Sequence, residues 1–344
     1  MGIDPSQADQ VASALLAYLA DHLGVAGLRF AEPPQPIGRG FDTYIYAFRL
    51  AGDGLDPTWE RPLVLRLYPN ERQGDKAERE GAIQRFAAQR GYPALEPLAL
   101  ERNAGPFGLP IMVMERVAGV SMLERLSLSP LAVRRQFAAM ADAHVALHRL
   151  PVDGCPLPSD GPLVERRLSD FRERIARSKL PGFDEALRWL EEHKDTVIPE
   201  ELSLCHNDFH PLNIMVADDG RLTVLDWADA SLGDRHHDVA RTVALFRFAH
   251  IAGSSALERL VLRLSRGFLT ASYLRPYRRQ LPLDWRRLRY WEALHGFQGW
   301  LQLTELQDPE SPAAVGARPE SLQRLPADLI PQLERYFWQR AKPR

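Results

Sequence analysis

The stretch that decides the fold runs Leu204-Cys205-His206-Asn207-Asp208-Phe209-His210-Pro211-Leu212-Asn213, and Val224-Leu225-Asp226-Trp227 follows it. Its polar residues have the spacing H-x-D-x-x-x-x-N, and Asp226 lies eighteen residues after Asp208. Apolar runs at 202–205, 214–216 and 222–225 predict short strands, and Asp219-Gly220 is a tight-turn signal. We therefore expect a loop that leaves one strand and a hairpin that returns Asp226 beside Asn213.

The order of these polar residues is the one that phosphoryl transfer requires. A first carboxylate orients the attacking hydroxyl, and an amide and a second carboxylate hold magnesium on the nucleotide phosphates. A chance scatter of polar residues in a surface loop is the alternative, and the predicted strands on both sides argue against it. We predict that Asp208 is catalytic and that Asn213 and Asp226 are metal ligands.

Three pieces of the chain resemble the aminoglycoside phosphotransferase family of small-molecule kinases, relatives of choline kinase and, more distantly, of protein kinases. They are 206–213, 225–230 and 233–240, within a similarity that runs from about Ile37 to Val243. The pair Asp226-Trp227 stands where protein kinases carry D-F-G, and no A-P-E motif follows it. This difference favours a metabolite or a drug over a protein as the substrate.

The resemblance implies an α+β, protein-kinase-like two-lobe fold with a small sheet-rich N-lobe (1–115) and a larger, mostly helical C-lobe (116–344). Periodicity gives the same order of elements. In the first part it predicts helices at 6–23 and 75–90 and strands at 41–50, 61–68, 95–100 and 109–114, after an extended proline-rich segment at 33–36. In the second part it predicts helices at 129–150, 163–179 and 183–194 and several more from His236 onward.

Two glycines precede the strand predicted at 41–50. Gly38 and Gly40 lie in Ile37-Gly38-Arg39-Gly40-Phe41-Asp42-Thr43. Glycine lets backbone amides approach phosphate oxygens closely, although a simple turn before a strand explains two glycines equally well. The resemblance implies phosphate contact at Gly38 and Gly40.

Arg66 is a charged residue inside the apolar strand Val64-Leu65-Arg66-Leu67-Tyr68, so it needs a partner. The resemblance gives this position to a cation that reaches the nucleotide phosphates, usually lysine. An exposed arginine on an edge strand is the alternative. The expected carboxylate partner is Glu80 on the following helix, with Glu78 as the competitor; it would hold Arg66 in a phosphate-binding pose.

The apolar strand that ends at Met114-Glu115 is predicted to form the hinge. The resemblance places the backbone contacts to a purine at Glu115 and Val117, and Met114 near the purine pocket. The alternative is a plain strand end followed by the turn at Gly119.

Composition limits the possible partners and compartments. The chain has 344 residues and a formal net charge of −2, so no nucleic acid or anionic membrane is expected as a partner. Two cysteines are too few for a disulfide framework, and the N-terminus lacks the pattern of a signal peptide, which predicts a cytoplasmic protein. The spacing of His206, His210, His236 and His237 is not a standard zinc-ligand set, so no zinc site is expected. The oligomeric state stays open.

These features predict a kinase that uses ATP and Mg²⁺ to phosphorylate a hydroxyl of a small molecule. Residues 255–344 carry fifteen Lys and Arg against nine Asp and Glu, which offers no acidic surface for a polycationic drug. The expected acceptor is therefore a sugar, an amino sugar or an amino alcohol. An aminoglycoside or macrolide antibiotic phosphotransferase is the alternative, and so is a catalytically silent nucleotide-binding scaffold. The presence of Asp208, Asn213 and Asp226 together argues against the scaffold.

Overall fold

The computed structural model describes residues 3–39, 43–104, 107–127, 129–157, 161–248, 256–308 and 329–342. The strands are β1 (Arg29–Arg39), β2 (Tyr44–Ala51), β3 (Leu63–Leu67), β4 (Ala99–Ala104), β5 (Leu109–Glu115), β6 (Val120–Ser121), β7 (Ser203–Cys205), β8 (Ile214–Val216), β9 (Leu222–Val224) and β10 (Ser231–Gly233). The helices are α1 (Ala8–Leu23), α2 (Gly74–Gln89), α3 (Pro130–His148), α4 (Leu163–Ser178), α5 (Asp184–His193), α6 (Arg235–Phe248), α7 (Ala256–Gln280), α8 (Trp285–Gln307) and α9 (Leu329–Ala341). No helix in these ranges is both long enough and apolar enough to cross a membrane.

The chain divides into two compact units. The first comprises residues 1–125, 153–157 and 212–230, and the second comprises residues 126–152, 158–211 and 231–344. The lobe boundary predicted after residue 115 stays a proposal. The compact units differ from the predicted lobes chiefly because the hairpin in 212–230 groups with the first unit.

The first unit is built on an antiparallel sheet with the strand order β1-β2-β3-β5-β4. The central strand β3 alternates, with Leu63, Leu65 and Leu67 fully buried on one face. These leucines belong to the same hydrophobic core as Leu15 of α1. Because side chains alternate along a strand, Arg66 emerges on the opposite face, where it stands beside Met112 of β5 in the register.

Helix α2 lies close to the sheet because it carries a glycine at the contact. A Cβ atom on Gly81 would stand only 2.6 Å from Leu100 Cδ2. A larger residue there would require the Leu100 side chain to shift. The close approach brings Glu80, the neighbour of Gly81, within reach of Arg66.

The short hairpin β8–β9 pairs with β6, and Gly119 makes that pairing possible. Gly119 has a φ of 113°, and a Cβ there would stand 2.2 Å from the carbonyl oxygen of Val216. Only glycine fits such an approach. At the end of the hairpin the Leu225 amide donates a hydrogen bond to the Asn213 carbonyl at 2.8 Å. Asp226 is the next residue after this hydrogen bond.

The second unit is mainly helical, with the two-stranded sheet β7–β10. Large aromatic side chains fill its interior, among them Phe171, Phe183, Trp291, Phe297 and Phe337, which are each at most 1% exposed. The aromatic side chains of residues 290–300 therefore belong to the core.

The strand predicted at 95–100 was wrong in its bounds, since β4 covers Ala99–Ala104. Pro97 has no amide hydrogen for a ladder, and regular pairing begins after it. The proline-rich segment around Pro33 and Pro36 forms part of a full strand, β1. It can do so because β1 lies at the edge of the sheet, where prolines and irregular register are tolerated. The pattern gave no sign of β10, which has only three residues.

Candidate active site

Arg66 is the centre of a charge cluster in the first unit. It forms an ion pair with Glu80, and its Nη2 lies 3.3 Å from Asp226 Oδ1. Its Nε donates to the Thr43 hydroxyl at 3.3 Å, and the Tyr68 hydroxyl donates to the second oxygen of Glu80 at 2.9 Å. Glu78, the competing partner, pairs with Arg102 on the surface instead. The cluster joins the β3 cation, the α2 carboxylate and the hairpin carboxylate.

Burial sets the electrostatics of this cluster. The side chain of Glu80 is 0% exposed, whereas that of Asp226 is 46% exposed. Burial raises the pKa of Glu80, and the positive charge of Arg66 acts in the opposite direction. For Arg66, burial would lower the pKa, but the charges of Glu80 and Asp226 raise it above its usual range. Arg66 therefore stays a cation. The buried Glu80 contacts its guanidinium on one side, and the partly exposed Asp226 contacts it on the other.

The two residues predicted as metal ligands flank the β8–β9 hairpin. Asn213 immediately precedes β8 and is partly buried, and Asp226 follows β9. Asp226 has a φ of 64°, a left-handed conformation that few residues other than glycine adopt. Strained backbone of this kind concentrates at functional sites. The carboxylate and the amide are the oxygen ligands that Mg²⁺ prefers.

The predicted glycine loop is only partly described. Gly38 lies in β1, where it pairs with Ile45 of β2. Gly40 lies outside the described residues. Phosphate contact at both glycines stays a prediction.

The hinge carbonyl has a defined direction. Val113 of β5 accepts a hydrogen bond from the Leu98 amide at 2.8 Å. The carbonyls of alternate residues in a strand point the same way, so the Glu115 carbonyl points to the β4 side of β5, as the Val113 carbonyl does. Glu115 lies past the point where β4 begins to pair with β5, so no residue of β4 lies opposite it. The side chain of Glu115 pairs with Arg61 at 2.9 Å, and Val117 follows the strand partly buried. The purine contacts predicted at Glu115 and Val117 stay proposals.

Asp208 lies in the second unit, three residues after the end of β7, with a histidine and an arginine beside it. His210 Nε2 lies 3.1 Å from Asp208 Oδ2, and Arg241 Nη2 lies 3.9 Å from Oδ1. Burial would raise the pKa of Asp208, but the hydrogen bond and charge of His210, together with Arg241, hold it below its usual range. Asp208 is therefore ionised at neutral pH and able to accept a hydrogen bond from a hydroxyl.

The loop that carries Asp208 is fixed by a second carboxylate, that of Asp238 on α6. Asp238 accepts hydrogen bonds from the backbone amides of His206 at 2.5 Å and Asn207 at 2.9 Å. Asn207 has a φ of 64°, and its side chain bonds His237 Nδ1 at 2.9 Å and the Ser231 hydroxyl at 2.8 Å. These bonds hold the strained turn immediately before Asp208.

Two histidines of α3 complete the environment of Asp238. Their Nε2 atoms lie 3.0 Å (His144) and 3.2 Å (His148) from Asp238 Oδ2, and their Nδ1 atoms lie 2.6 Å and 2.7 Å from the hydroxyls of Tyr273 and Tyr277 on α7. Burial lowers the pKa of His148 to about 4, so its ring is neutral at pH 7. Burial would raise the pKa of Asp238, but both histidines hold it well below its usual range.

Within the part of the chain that the structure describes, His144, His148 and Asp238 are also the one group of three His, Cys, Asp or Glu side chains whose ligand atoms lie close enough together to share a metal ion. The tyrosine hydroxyls occupy the Nδ1 atoms, and the amide of His206 already bonds the same Asp238 oxygen. A hydrogen-bonded chain from α3 to α7 through Asp238 accounts for all of these contacts. We therefore treat the group as structural.

Several of these residues were missed at the sequence level. Tyr68, which bonds Glu80, was noticed only as a neighbour of Arg66, and Arg241 was not singled out. His144 and His148 lie four residues apart within an otherwise apolar stretch of helix. Two histidines at that spacing on a buried face signal a shared partner. That partner is Asp238, which lies at least 90 residues further along the chain, so the local sequence does not identify it.

Comparison with known proteins gives a consistent result. The model of the phosphotransferase enzyme family matches residues 34–291. Aminoglycoside 3'-phosphotransferase of Streptomyces fradiae is 29% identical over 214 residues, which cover 58% of this chain and 75% of that protein. Mouse acyl-CoA dehydrogenase family member 10 is 28% identical over 244 residues, which cover 66% of this chain but only 21% of that protein. The chain thus spans about a fifth of the length of the mouse relative.

A solved structure extends the likeness to the fold. It is a thermostable mutant of an aminoglycoside phosphotransferase in ternary complex with AMP-PNP and hygromycin B, with a TM-score of 0.61 and 15% identity. The match covers 96% of this chain and 98% of that chain. The predicted α+β, kinase-like two-lobe fold is confirmed.

Replacing Asp238 by asparagine should loosen the loop that carries Asp208. Asparagine puts an NH₂ group where one acceptor oxygen was, so buried donors lose their partner, and the free energy of unfolding should fall by about 3 kcal/mol. Urea denaturation of the wild type and of Asp238→Asn measures the change. The matched control is Asp170→Asn, whose partly exposed side chain pairs with Arg174 at 3.4 Å and should cost at most about 0.5 kcal/mol. Equal stability of the two variants would show that Asp238 does not hold the loop.

Proposed function

The chain belongs to the phosphotransferase enzyme family, and on that premise we propose that it is an ATP-dependent kinase that requires Mg²⁺ and phosphorylates a hydroxyl of a small molecule. The observation that carries the proposal is the Arg66 cluster. One guanidinium joins a buried carboxylate, Glu80, to an exposed carboxylate, Asp226. A fixed cation next to a potential metal ligand suits the phosphates of a nucleotide.

On the nucleotide side, Arg66 is proposed to bind the phosphates as a two-pronged donor. A guanidinium matches phosphate oxygens bidentately, whereas the more usual lysine acts as a point charge. Glu80 would hold the guanidinium in place, and Tyr68 would fix Glu80. Glu115 and Val117 are proposed to contact the base, and Gly38 and Gly40 the phosphates. The AMP-PNP complex of the structural neighbour supports a nucleoside triphosphate as the phosphoryl donor.

The residues at the proposed metal site suit magnesium. Asn213 and Asp226 offer an amide oxygen and a carboxylate, and Asp226 is exposed enough to reach a ligand. Bound Mg²⁺ would neutralise charge on the transferred phosphoryl group.

Asp208 is proposed to orient the acceptor hydroxyl and to receive its proton. The lowered pKa of Asp208 makes it a weak base, so it would take the proton only when phosphoryl transfer is well advanced. Such timing fits the loose transition state of phosphoryl transfer. Most of the acceleration would then come from positioning and charge neutralisation.

The acceptor has two candidates. Similarity to the Streptomyces fradiae enzyme and to the hygromycin B complex favours an aminoglycoside. The charges of this chain favour a neutral, zwitterionic or singly charged acceptor such as a sugar, an amino sugar or an amino alcohol. Arg241 lies beside Asp208, and cations there repel a polycationic drug. We propose the second class.

Asp208→Asn should cut phosphoryl transfer by at least about 100-fold, because it removes the proton acceptor. Nucleotide affinity should stay nearly unchanged. ADP release, measured with a panel of sugars, amino alcohols, aminoglycosides and macrolides, tests the reaction and finds the acceptor. Wild-type turnover in the variant would remove Asp208 from the mechanism. His210→Ala, which leaves the carboxylate, should lose far less activity.

Asp226→Ala should abolish the tightening of nucleotide binding by magnesium, because it removes a metal-bridging carboxylate. Calorimetric titration of AMP-PNP with magnesium or with a chelator gives the comparison. Asp229→Ala, on the same segment, serves as the control. A wild type that binds AMP-PNP equally well under both conditions would favour the nucleotide-binding scaffold.

Kanamycin-type compounds should be poor acceptors, with kcat/KM below about 10⁴ M⁻¹s⁻¹, the lower end of the usual enzyme range. The reason is the repulsion between a polycation and the basic surroundings of Asp208. Arg241→Glu should improve kcat/KM for kanamycin relative to that for a neutral sugar. Efficient phosphorylation of several aminoglycosides by the wild type would make antibiotic resistance the better interpretation.

A further inference from the structure

A pocket of about 320 Å³ opens between α3 and α7, inside the second unit. Three arginines surround it, with an aromatic ring and a serine: Arg134 from α3, and Phe268, Ser272, Arg275 and Arg279 from α7. We propose that this arginine pocket binds a small phosphorylated metabolite through its phosphate group. The proposal is independent of the nucleotide and acceptor assignments above.

The pocket arises from the spacing of residues along α7. Phe268, Ser272, Arg275 and Arg279 follow one another at intervals of four, three and four residues, which places them on one face of the helix. From α3, the guanidinium of Arg134 lies 5.3 Å from the centre of the Phe268 ring. The three cationic side chains therefore border the same space.

Small side chains and a proline shape its floor. Ala138 of α3 and Ala271 of α7 both line the pocket, and their methyl groups leave the space between the helices unfilled. Pro276 lies inside α7 and has no amide hydrogen, so the Ser272 carbonyl lacks its usual helical donor. Ser272 itself lines the pocket and carries a hydroxyl group.

The lining of the pocket has an excess of positive charge, carried by three exposed arginines. Within the described ranges, no carboxylate forms an ion pair with Arg134, Arg275 or Arg279. Asp142, one turn after Ala138 on α3, is instead hydrogen-bonded by the Gln280 side chain at 2.6 Å. Like charges around one space repel each other, and an anion between them removes that cost.

The geometry of guanidinium groups and the size of the pocket select the ligand. Guanidinium forks match the oxygens of a phosphate, with two parallel hydrogen bonds from each fork. The volume of about 320 Å³ lies at the lower end of small-molecule pockets, roughly 300–1,000 Å³, and is too small for a nucleic acid or a folded partner. Phe268 and the Ser272 hydroxyl suit a short carbon chain that carries hydroxyls. A phosphomonoester of a small polyol fits these features.

Calorimetric titration with glycerol 3-phosphate, a probe of this class, tests the proposal on the full chain. AMP-PNP and magnesium at saturation keep the probe from the nucleotide site. Arg275→Ala/Arg279→Ala should weaken probe binding at least about tenfold, because two charge-assisted donors are lost. Arg134→Ala, from the other helix, should weaken it as well.

The matched control is Arg286→Ala/Arg289→Ala, which removes the same charge from two arginines of the same unit that are exposed, as the pocket arginines are, but do not line the pocket. It should change the affinity less than about twofold, since distant exposed charges are screened by salt. An unchanged thermal transition will show that each variant is folded. Three results would overturn the proposal: no binding by the wild type, equal binding by the Arg275/Arg279 variant, or binding only to vesicles of anionic phospholipid.

Discussion

The buried carboxylate of Asp238 is the constraint on which the second unit depends. It is fully buried, and a carboxylate without water is stable only when its oxygens accept hydrogen bonds. Two of these bonds come from the backbone before Asp208, and the histidines that surround it lead to the tyrosines of α7. One charge therefore fixes the strained turn at Asn207 and ties α3, α6 and α7 together. The position of Asp208 is a consequence of packing far from it in sequence.

The first unit uses a buried charge in a different way. A buried ion pair such as Arg66–Glu80 rarely adds net stability over an apolar pair, because both charges lose their water. Its retention in a sheet of leucines and valines therefore argues for a positioning role. Gly81 lets α2 pack closely against Leu100, and the Tyr68 hydroxyl donates to the second oxygen of Glu80. The carboxylate of Asp226, on the other side of Arg66, stays partly exposed to solvent.

The second unit has a distinctly basic character in two places. His210 and Arg241 stand beside Asp208, and three arginines surround the pocket between α3 and α7. The relatives of this chain say little about the charge of its surface, because at identities of 28–29% most surface side chains can differ. The acceptor class proposed above therefore rests on the distribution of charge in this chain.

The sequence by itself determined the local arrangement of the proposed site. The spacing of Asp208, Asn213 and Asp226 predicted their loop and hairpin, and alternation in β3 predicted that Arg66 faces away from the leucine core. Both depend on local rules of strand and turn geometry. Tertiary structure alone decided between Glu80 and Glu78, allowed prolines in β1 as an edge strand, and brought His144 and His148 to Asp238. The polar contacts among them join residues 14 positions apart, as in Arg66–Glu80, to 94 positions apart, as in His144–Asp238. A local sequence pattern contains no information about which distant side chain bonds to a buried polar group.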